Sequence, residues 1–243
     1  MSGTKTKRDI YGDADPRDLA AYTVREVSIC LDVPISRLKA WIAGQSNFRK
    51  VLTPAASVEI RATRARVLSF NNVVEIFVLD ELRRRGFSLQ HLRRVLDYLK
   101  REFPQVDHAL VRLDLSISNR HLFAKWNERL VNLSLEGQFA LEELLRTFLS
   151  RVEHDPAGAG VFKLYPFVTK QRTADAPKTV VMDPRVSFGR PVLTGSGIPT
   201  AVIADRFRAG ESIASIAGDY DRTKAEIEEA IRYETVRIAR EAA

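Results

Sequence analysis

Thr23-Val24-Arg25-Glu26-Val27-Ser28-Ile29-Cys30-Leu31, then Asp32-Val33-Pro34, then Ile35-Ser36-Arg37-Leu38-Lys39-Ala40-Trp41-Ile42-Ala43-Gly44, is the stretch from which the rest of the chain is read. Thr23 and Glu26 have the spacing of a capping box, in which each side chain satisfies the other's backbone donor. Val24, Val27 and Leu31 recur at helical spacing. Pro34 disfavours the helical region for its predecessor, so the helix breaks at Asp32-Val33-Pro34. Leu38, Trp41 and Ile42 form the apolar face of a second helix, and Gly44 is a natural C-terminal cap. Two short helices with a three-residue break form a helix-turn-helix pattern.

The charge supports a polyanionic partner for this region. Residues 17–100 carry 15 Lys and Arg against 8 Asp and Glu, which accounts for the whole formal excess of +7. Residues 1–16, 101–177 and 178–243 each balance. Clustered positive charge is the electrostatic footprint of nucleic-acid binding, because it displaces counterions condensed on phosphate. Ser36, Arg37 and Lys39 lie on the second helix, which could enter a major groove. Arg49 and Lys50 follow it, and Arg61, Arg64 and Arg66 fall in a basic stretch where Val58, Ile60 and Val67 suggest a hairpin wing. Thr23, Arg25 and Trp41 complete the expected DNA-contact set. Arg83-Arg84-Arg85 ends a later helix, where the cations suit either the helix dipole or phosphate.

Working outward, the chain divides into a flexible tail (1–16), a winged helix-turn-helix module (17–104), a mixed strand–helix module (105–168), a linker (169–178) and a C-terminal module (179–243). The expected fold class is α+β. In the first module, helices are predicted at Phe70–Arg85 and from Ser88 to about Phe103, before Pro104. In the middle module, Val111, Leu113, Leu115 and Ile117 alternate as a strand would, residues 121–133 suggest a strand pair, and Leu135–Val152 reads as an amphipathic helix. That helix either forms a dimer interface or packs on the module's own sheet. Val161–Phe167 reads as a strand, with Pro166 placing it at an edge or strand end. In the C-terminal module, Val180-Val181-Met182 and Pro191-Val192-Leu193 suggest a small β-hairpin. Three helices follow, opening at Thr200, Ser212 and Thr223. Residues 219–234 carry a net charge of −3, so the last helix pair suits a protein partner better than phosphate.

No catalytic constellation emerges. His91, His108, His121 and His154 lack metal-ligand spacing, no nucleophilic triad is legible, and no cofactor or metal is expected. The single Cys30 points to a reducing compartment and to inert packing. No apolar run is long enough for a membrane span and no signal peptide is legible, so a cytoplasmic, membrane-independent protein is expected.

Tyr22-Thr23-Val24-Arg25-Glu26-Val27, Leu38-Lys39-Ala40-Trp41 and Gly86-Phe87-Ser88-Leu89, followed by Leu92-Arg93-Arg94-Val95-Leu96, resemble the MerR family of winged helix-turn-helix regulators. Asp32 stands where that family's turn is commonly glycine, and Pro104 leaves no long coiled-coil helix directly after the module. Val181-Met182-Asp183-Pro184, Gly189-Arg190-Pro191-Val192-Leu193, Gly195-Ser196-Gly197-Ile198-Pro199-Thr200, Gly210-Glu211-Ser212-Ile213 and Glu229-Ala230-Ile231-Arg232-Tyr233 resemble the family catalogued as domain of unknown function 433. That resemblance implies a VapB-type antitoxin of a type II toxin–antitoxin pair. Its partner would be a PIN-like ribonuclease toxin, and it would repress its own operator DNA as a homodimer or as a hetero-oligomer with the toxin. The implied toxin-binding residues are Phe188, Gly189, Arg190, Pro191, Ile198, Arg206 and Arg208. The alternative is a stand-alone MerR-like transcriptional regulator whose aromatic-rich middle module binds a small ligand.

Overall fold

The computed structural model describes residues 11, 14–44, 50–55, 65–108, 111, 150–155, 160–168, 172–173 and 175–241. It is an α+β structure of short antiparallel strand pairs and helices. The chain enters through β1 (Tyr22–Thr23), α1 (Val24–Leu31) and α2 (Ile35–Ala43). The capping box forms as expected: Glu26 N–H donates to Thr23 Oγ1 at 3.0 Å, and Thr23 N–H donates to Glu26 Oε2 at 2.7 Å. Asp32 takes the left-handed turn position at φ 58°, which Asp tolerates better than most residues.

Val67 lies in β2 (Arg66–Leu68), but the strand's partner is β1, with Tyr22 opposite Leu68. A two-residue strand has no legible period, so this pairing across the whole helix pair left no local signal. Val58 and Ile60 lie outside the described residues. Next come α3 (Phe70–Arg84) and α4 (Leu89–Glu102). Asn72, fully buried on α3, donates to Thr53 O at 2.9 Å and accepts from Ala55 N–H at 3.1 Å, tying the segment after α2 to the core.

The middle of the chain departs from expectation where it is described. Val111 is helical, not extended. The helix expected through Val152 is helical at Ser150–Arg151, but Val152 already opens β3 (Val152–His154), which pairs antiparallel with β4 (Val161–Leu164). Leu113, Leu115, Ile117, the strand pair at 121–133 and most of the expected 135–152 helix lie outside the described residues. Then β5 (Val180–Val181) and β6 (Val192–Leu193) form the expected hairpin. Leu164 and Met182 exchange backbone hydrogen bonds of 3.0 and 2.8 Å, lacing the two hairpins together. Three helices close the chain: α5 (Thr200–Arg208), α6 (Ile213–Tyr220) and α7 (Lys224–Glu241). Thr200 is not the cap of α5; Pro199 holds that place, and the buried Thr200 hydroxyl donates to Glu234 Oε1 on α7 at 2.6 Å.

One hydrophobic core runs from Val27, Leu38 and Phe77 of the first module through Val152 and Leu164 to Met182. A second joins Leu193 to Ile203, Ile216 and Ile227 beneath the last three helices. Arg151 is also fully buried. Its guanidinium donates to the carbonyls of Tyr165, Pro166, Ala176 and Pro177 at 2.6–3.1 Å and lies 4.7 Å from the Phe167 ring centroid. Burial pulls its pKa down to about 10. Buried carbonyls without donors are costly. Arg151→Met should therefore destabilise the fold by roughly 3 kcal/mol or more, given about 1–3 kcal/mol for each buried group left unsatisfied. Urea unfolding checks this; a loss under about 1 kcal/mol would contradict the role assigned to Arg151.

Candidate functional site

The first helix pair is held by buried carboxylates. Asp80 and Glu81 on α3 are each 1% exposed. Asp80 accepts from Arg37 Nη1 and from Arg84 Nε, both at 2.6 Å. Glu81 accepts from Arg85 Nη1 at 2.9 Å and, through its other oxygen, from Arg172 Nη1. The same arginines reach the turn: Arg84 donates to Asp32 O at 2.7 Å and Arg172 to Leu31 O at 3.1 Å. Burying a carboxylate is tolerable only when it is paired and hydrogen-bonded, and here each has two cations. Arg172 comes from the stretch read as linker and ties it to the helix-pair turn.

This arrangement re-sorts the expected DNA-contact set. Arg37 is committed to Asp80, as is Arg84, while Arg83 donates to Phe87 O at 2.6 Å. Thr23 serves as a helix cap and Trp41 is 2% exposed in the core. Ser36, Arg25, Lys50 and Arg66 are exposed and Lys39 is half-buried. Arg49, Arg61 and Arg64 lie outside the described residues. A cleft of about 670 Å³ opens beside the turn, lined by Ser28, Asp32, Ser36, Arg37, Arg83 and Arg84.

The second helix pair repeats the turn of the first without its sequence. Asp221 closes α6 at φ 51°, as Asp32 closes α1 at φ 58°. In each, the residue after the Asp donates back to the carbonyl four residues before the Asp: Val33 to Ser28 at 3.0 Å, nearly matched by Arg222 to Ala217 at 2.9 Å. A second capping box forms between Thr223 and Glu226: Thr223 N–H donates to Glu226 Oε2 at 2.8 Å, and Glu226 N–H donates to Thr223 Oγ1 at 3.3 Å.

The two ends of the chain meet at a seam. Tyr22, 4% exposed, donates its hydroxyl to Gly189 O at 2.8 Å across 167 positions. A Cβ on Gly189, at φ +76°, would lie 1.8 Å from that hydroxyl oxygen. Tyr11 donates to Pro184 O at 2.7 Å and meets the Phe188 ring edge-on at 6.1 Å. Cys30 on α1 is buried against Tyr233 of α7, and burial pushes its thiol up to about 11.

At this seam lies a groove of about 700 Å³, lined by Arg66, Phe188, Arg190, Pro191, Val202 and Arg237 among others. It gathers three of the expected toxin-binding residues, Phe188, Arg190 and Pro191, and adds Arg66 from the expected wing. The remaining expected residues sit elsewhere. Gly189 is buried against Tyr22, and Ile198 packs on the C-terminal core. Arg206 pairs with Glu211 and Asp219 over the Tyr220 ring, and these carboxylates raise its pKa. Arg208 pairs with Asp205 at 2.8 Å. The partnership of Arg66 with Arg190 had no sequence signal, because it depends on long-range docking. Among the described residues no cluster of three metal-ligating side chains occurs, and no helix is long and apolar enough to cross a membrane.

Residues 180–233, which take in the β5–β6 hairpin and the helices as far as Tyr233 of α7, match the family model "protein of unknown function (DUF433)". The resemblance carried by the motifs from Val181 to Tyr233 is thus borne out. Beyond that unit, the chain is 29% identical over 235 residues to the putative antitoxin VapB45 of Mycobacterium tuberculosis, covering 88% of this chain and 93% of that protein. The crystal structure of Rv2018 from Mycobacterium tuberculosis matches at a TM-score of 0.67 and 25% identity, covering 88% of this chain and 98% of that one.

Two outcomes follow from the seam. Gly189→Ala should cost about 2 kcal/mol or more, from the left-handed backbone and the broken tyrosine hydrogen bond. In a Tyr22→Phe background it should cost measurably less, since the colliding hydroxyl is gone; strictly additive losses in a double-mutant cycle would contradict the contact. Cys30 should stay unreactive towards a disulfide reagent at pH 8 until the chain is unfolded, and rapid labelling of the native protein would show the α1–α7 seam to be open.

Proposed function

We propose that this protein is a non-enzymatic antitoxin of a type II toxin–antitoxin system. In this reading it binds and neutralises a PIN-like ribonuclease and represses its own operon by binding operator DNA. The observation that carries the reading is the reach of the similarity to VapB45, which covers 88% of this chain and so extends well beyond the C-terminal unit.

The division of labour follows the electrostatics. Arg25, Ser36, Lys39 and Lys50 supply the DNA contacts, in the manner of a MerR-like module, with phosphate charge carrying most of the affinity. The face around Phe188, Arg190 and Pro191 meets the toxin. Of the cations expected to face the toxin, Arg206 and Arg208 are engaged by carboxylates of their own unit. Arg190 is exposed and makes no side-chain hydrogen bond or ion pair among the described residues. An arginine presented in this way suits the acidic, metal-binding centre of a PIN-like nuclease.

The test is co-expression. Induction of the PIN-like ribonuclease encoded beside this gene should arrest growth, and this protein should relieve the arrest. Continued arrest with soluble, folded protein present would refute the antitoxin role. In mobility-shift assays on its own promoter, Arg25→Glu with Lys50→Glu should weaken binding at least tenfold at 50 mM salt. The salt slope should fall by about one for each phosphate that is no longer neutralised. Unchanged affinity and slope would remove this face from DNA recognition.

A further inference from the structure

We infer that the seam groove is a composite peptide-binding site, built by both ends of the chain, that takes an acidic–apolar segment of the partner protein. The inference rests on the antitoxin reading for the partner's identity and adds that the C-terminal unit does not bind it alone.

Arg66 comes from β2 of the first module and Arg190 from the loop before β6, yet both line one groove. Both are exposed, and neither side chain has a hydrogen bond or ion pair among the described residues. The groove's own acids are already engaged. Glu26 accepts from Thr23 N–H, and Glu234, 1% exposed, accepts from Thr200 and Arg237. Arg237 neutralises Glu234, so Arg66 and Arg190 outnumber the remaining acid, Glu26, and give the groove a net charge of +1. The groove also carries exposed apolar lining. Phe188 is 62% exposed and Val202 41% exposed, with Pro191, Pro199 and Ala201 alongside. Phe188 is held outward by a left-handed backbone at φ 55°, a conformation that costs an ordinary residue free energy and so needs a surrounding structure to enforce it.

This pairing of features selects the occupant. A carboxylate accepts bidentate bonds from arginine, and an adjacent apolar side chain fills the space between Phe188 and Val202. Duplex DNA offers no apolar side chain and would bring phosphate towards Glu26 and Glu234. The chain's own residues 1–10 carry Lys5, Lys7 and Arg8 against Asp9, so their charge opposes Arg66 and Arg190.

The probe is a fluorescein-labelled peptide of sequence Gly-Ser-Asp-Leu-Phe-Glu-Leu-Gly-Ser, titrated with the full chain and followed by anisotropy. Saturable binding is expected. Arg66→Glu and Arg190→Glu should each weaken it at least tenfold, and Lys224→Glu, on an exposed position of α7 outside the groove, should leave it unchanged. A peptide with Lys in place of Asp and Glu should not bind. Circular dichroism confirms that each variant is folded. No saturable binding by the wild-type chain, or binding indifferent to both reversals, overturns the inference. So does a loss of operator affinity in Arg66→Glu and Arg190→Glu with peptide binding intact, which would make the groove a DNA face. Dimerisation abolished by Arg190→Glu would also overturn it, giving the groove to a second copy. The two readings fail separately. Toxin neutralisation that survives the Arg66→Glu/Arg190→Glu double variant removes the groove but keeps the antitoxin. Arginine-dependent peptide binding without toxin neutralisation does the reverse.

Discussion

The buried carboxylates of α3 are the constraint on which the rest depends. Asp80 and Glu81 sit in the core of the first module, where an unpaired charge would cost several kcal/mol. The fold meets that cost by drawing in Arg37 from α2, Arg84 and Arg85 from the end of α3, and Arg172 from beyond β4. Two of these arginines then grip the turn between α1 and α2. The helix pair is thus positioned by charge as well as by the packing of Leu38 and Trp41. The same arginines link residues far apart in sequence, and the chain's two ends become parts of one packed body.

That body gives the seam its character. Tyr22 precedes α1 and Gly189 precedes β6, so one buried hydrogen bond joins the start of the first helix pair to the loop that presents Phe188 and Arg190. Leu164 and Met182 join the hairpins below it, and Arg151 gathers four carbonyls from the connecting segments. Glycine at 189 is required by contact as well as by backbone, since a side chain there would enter the tyrosine hydroxyl. A groove built this way exists only when both ends are docked.

Local order was legible in the sequence where the physics is local. The two capping boxes at Thr23 and Thr223, the left-handed Asp32, the α3 and α4 helices and the β5–β6 hairpin follow from residues within a few positions of one another. The resemblance of the C-terminal unit to its family model was legible in motifs such as Gly189-Arg190-Pro191-Val192-Leu193. What was not legible depends on distance. Arg37 read as a groove-facing cation, and Arg84 as suiting either the helix dipole or phosphate, because their partner, Asp80, is buried in a way no periodicity announces. Trp41 read as a contact residue although its place on the apolar face already fitted the core. Thr200 read as a cap, yet its hydroxyl serves Glu234 across the unit. Arg66 and Arg190 fell in separate expected sites, and only the docking of the modules brings them together.

The central claim is that partner recognition spans the seam between the two ends of the chain. Hydrogen–deuterium exchange on the full-length protein, with and without the purified PIN-like ribonuclease, tests it most directly. The account predicts that complex formation slows exchange in two places at once, around Arg66–Leu68 and around Ser187–Leu193. Protection confined to the C-terminal unit, with Arg66–Leu68 unchanged, would contradict it.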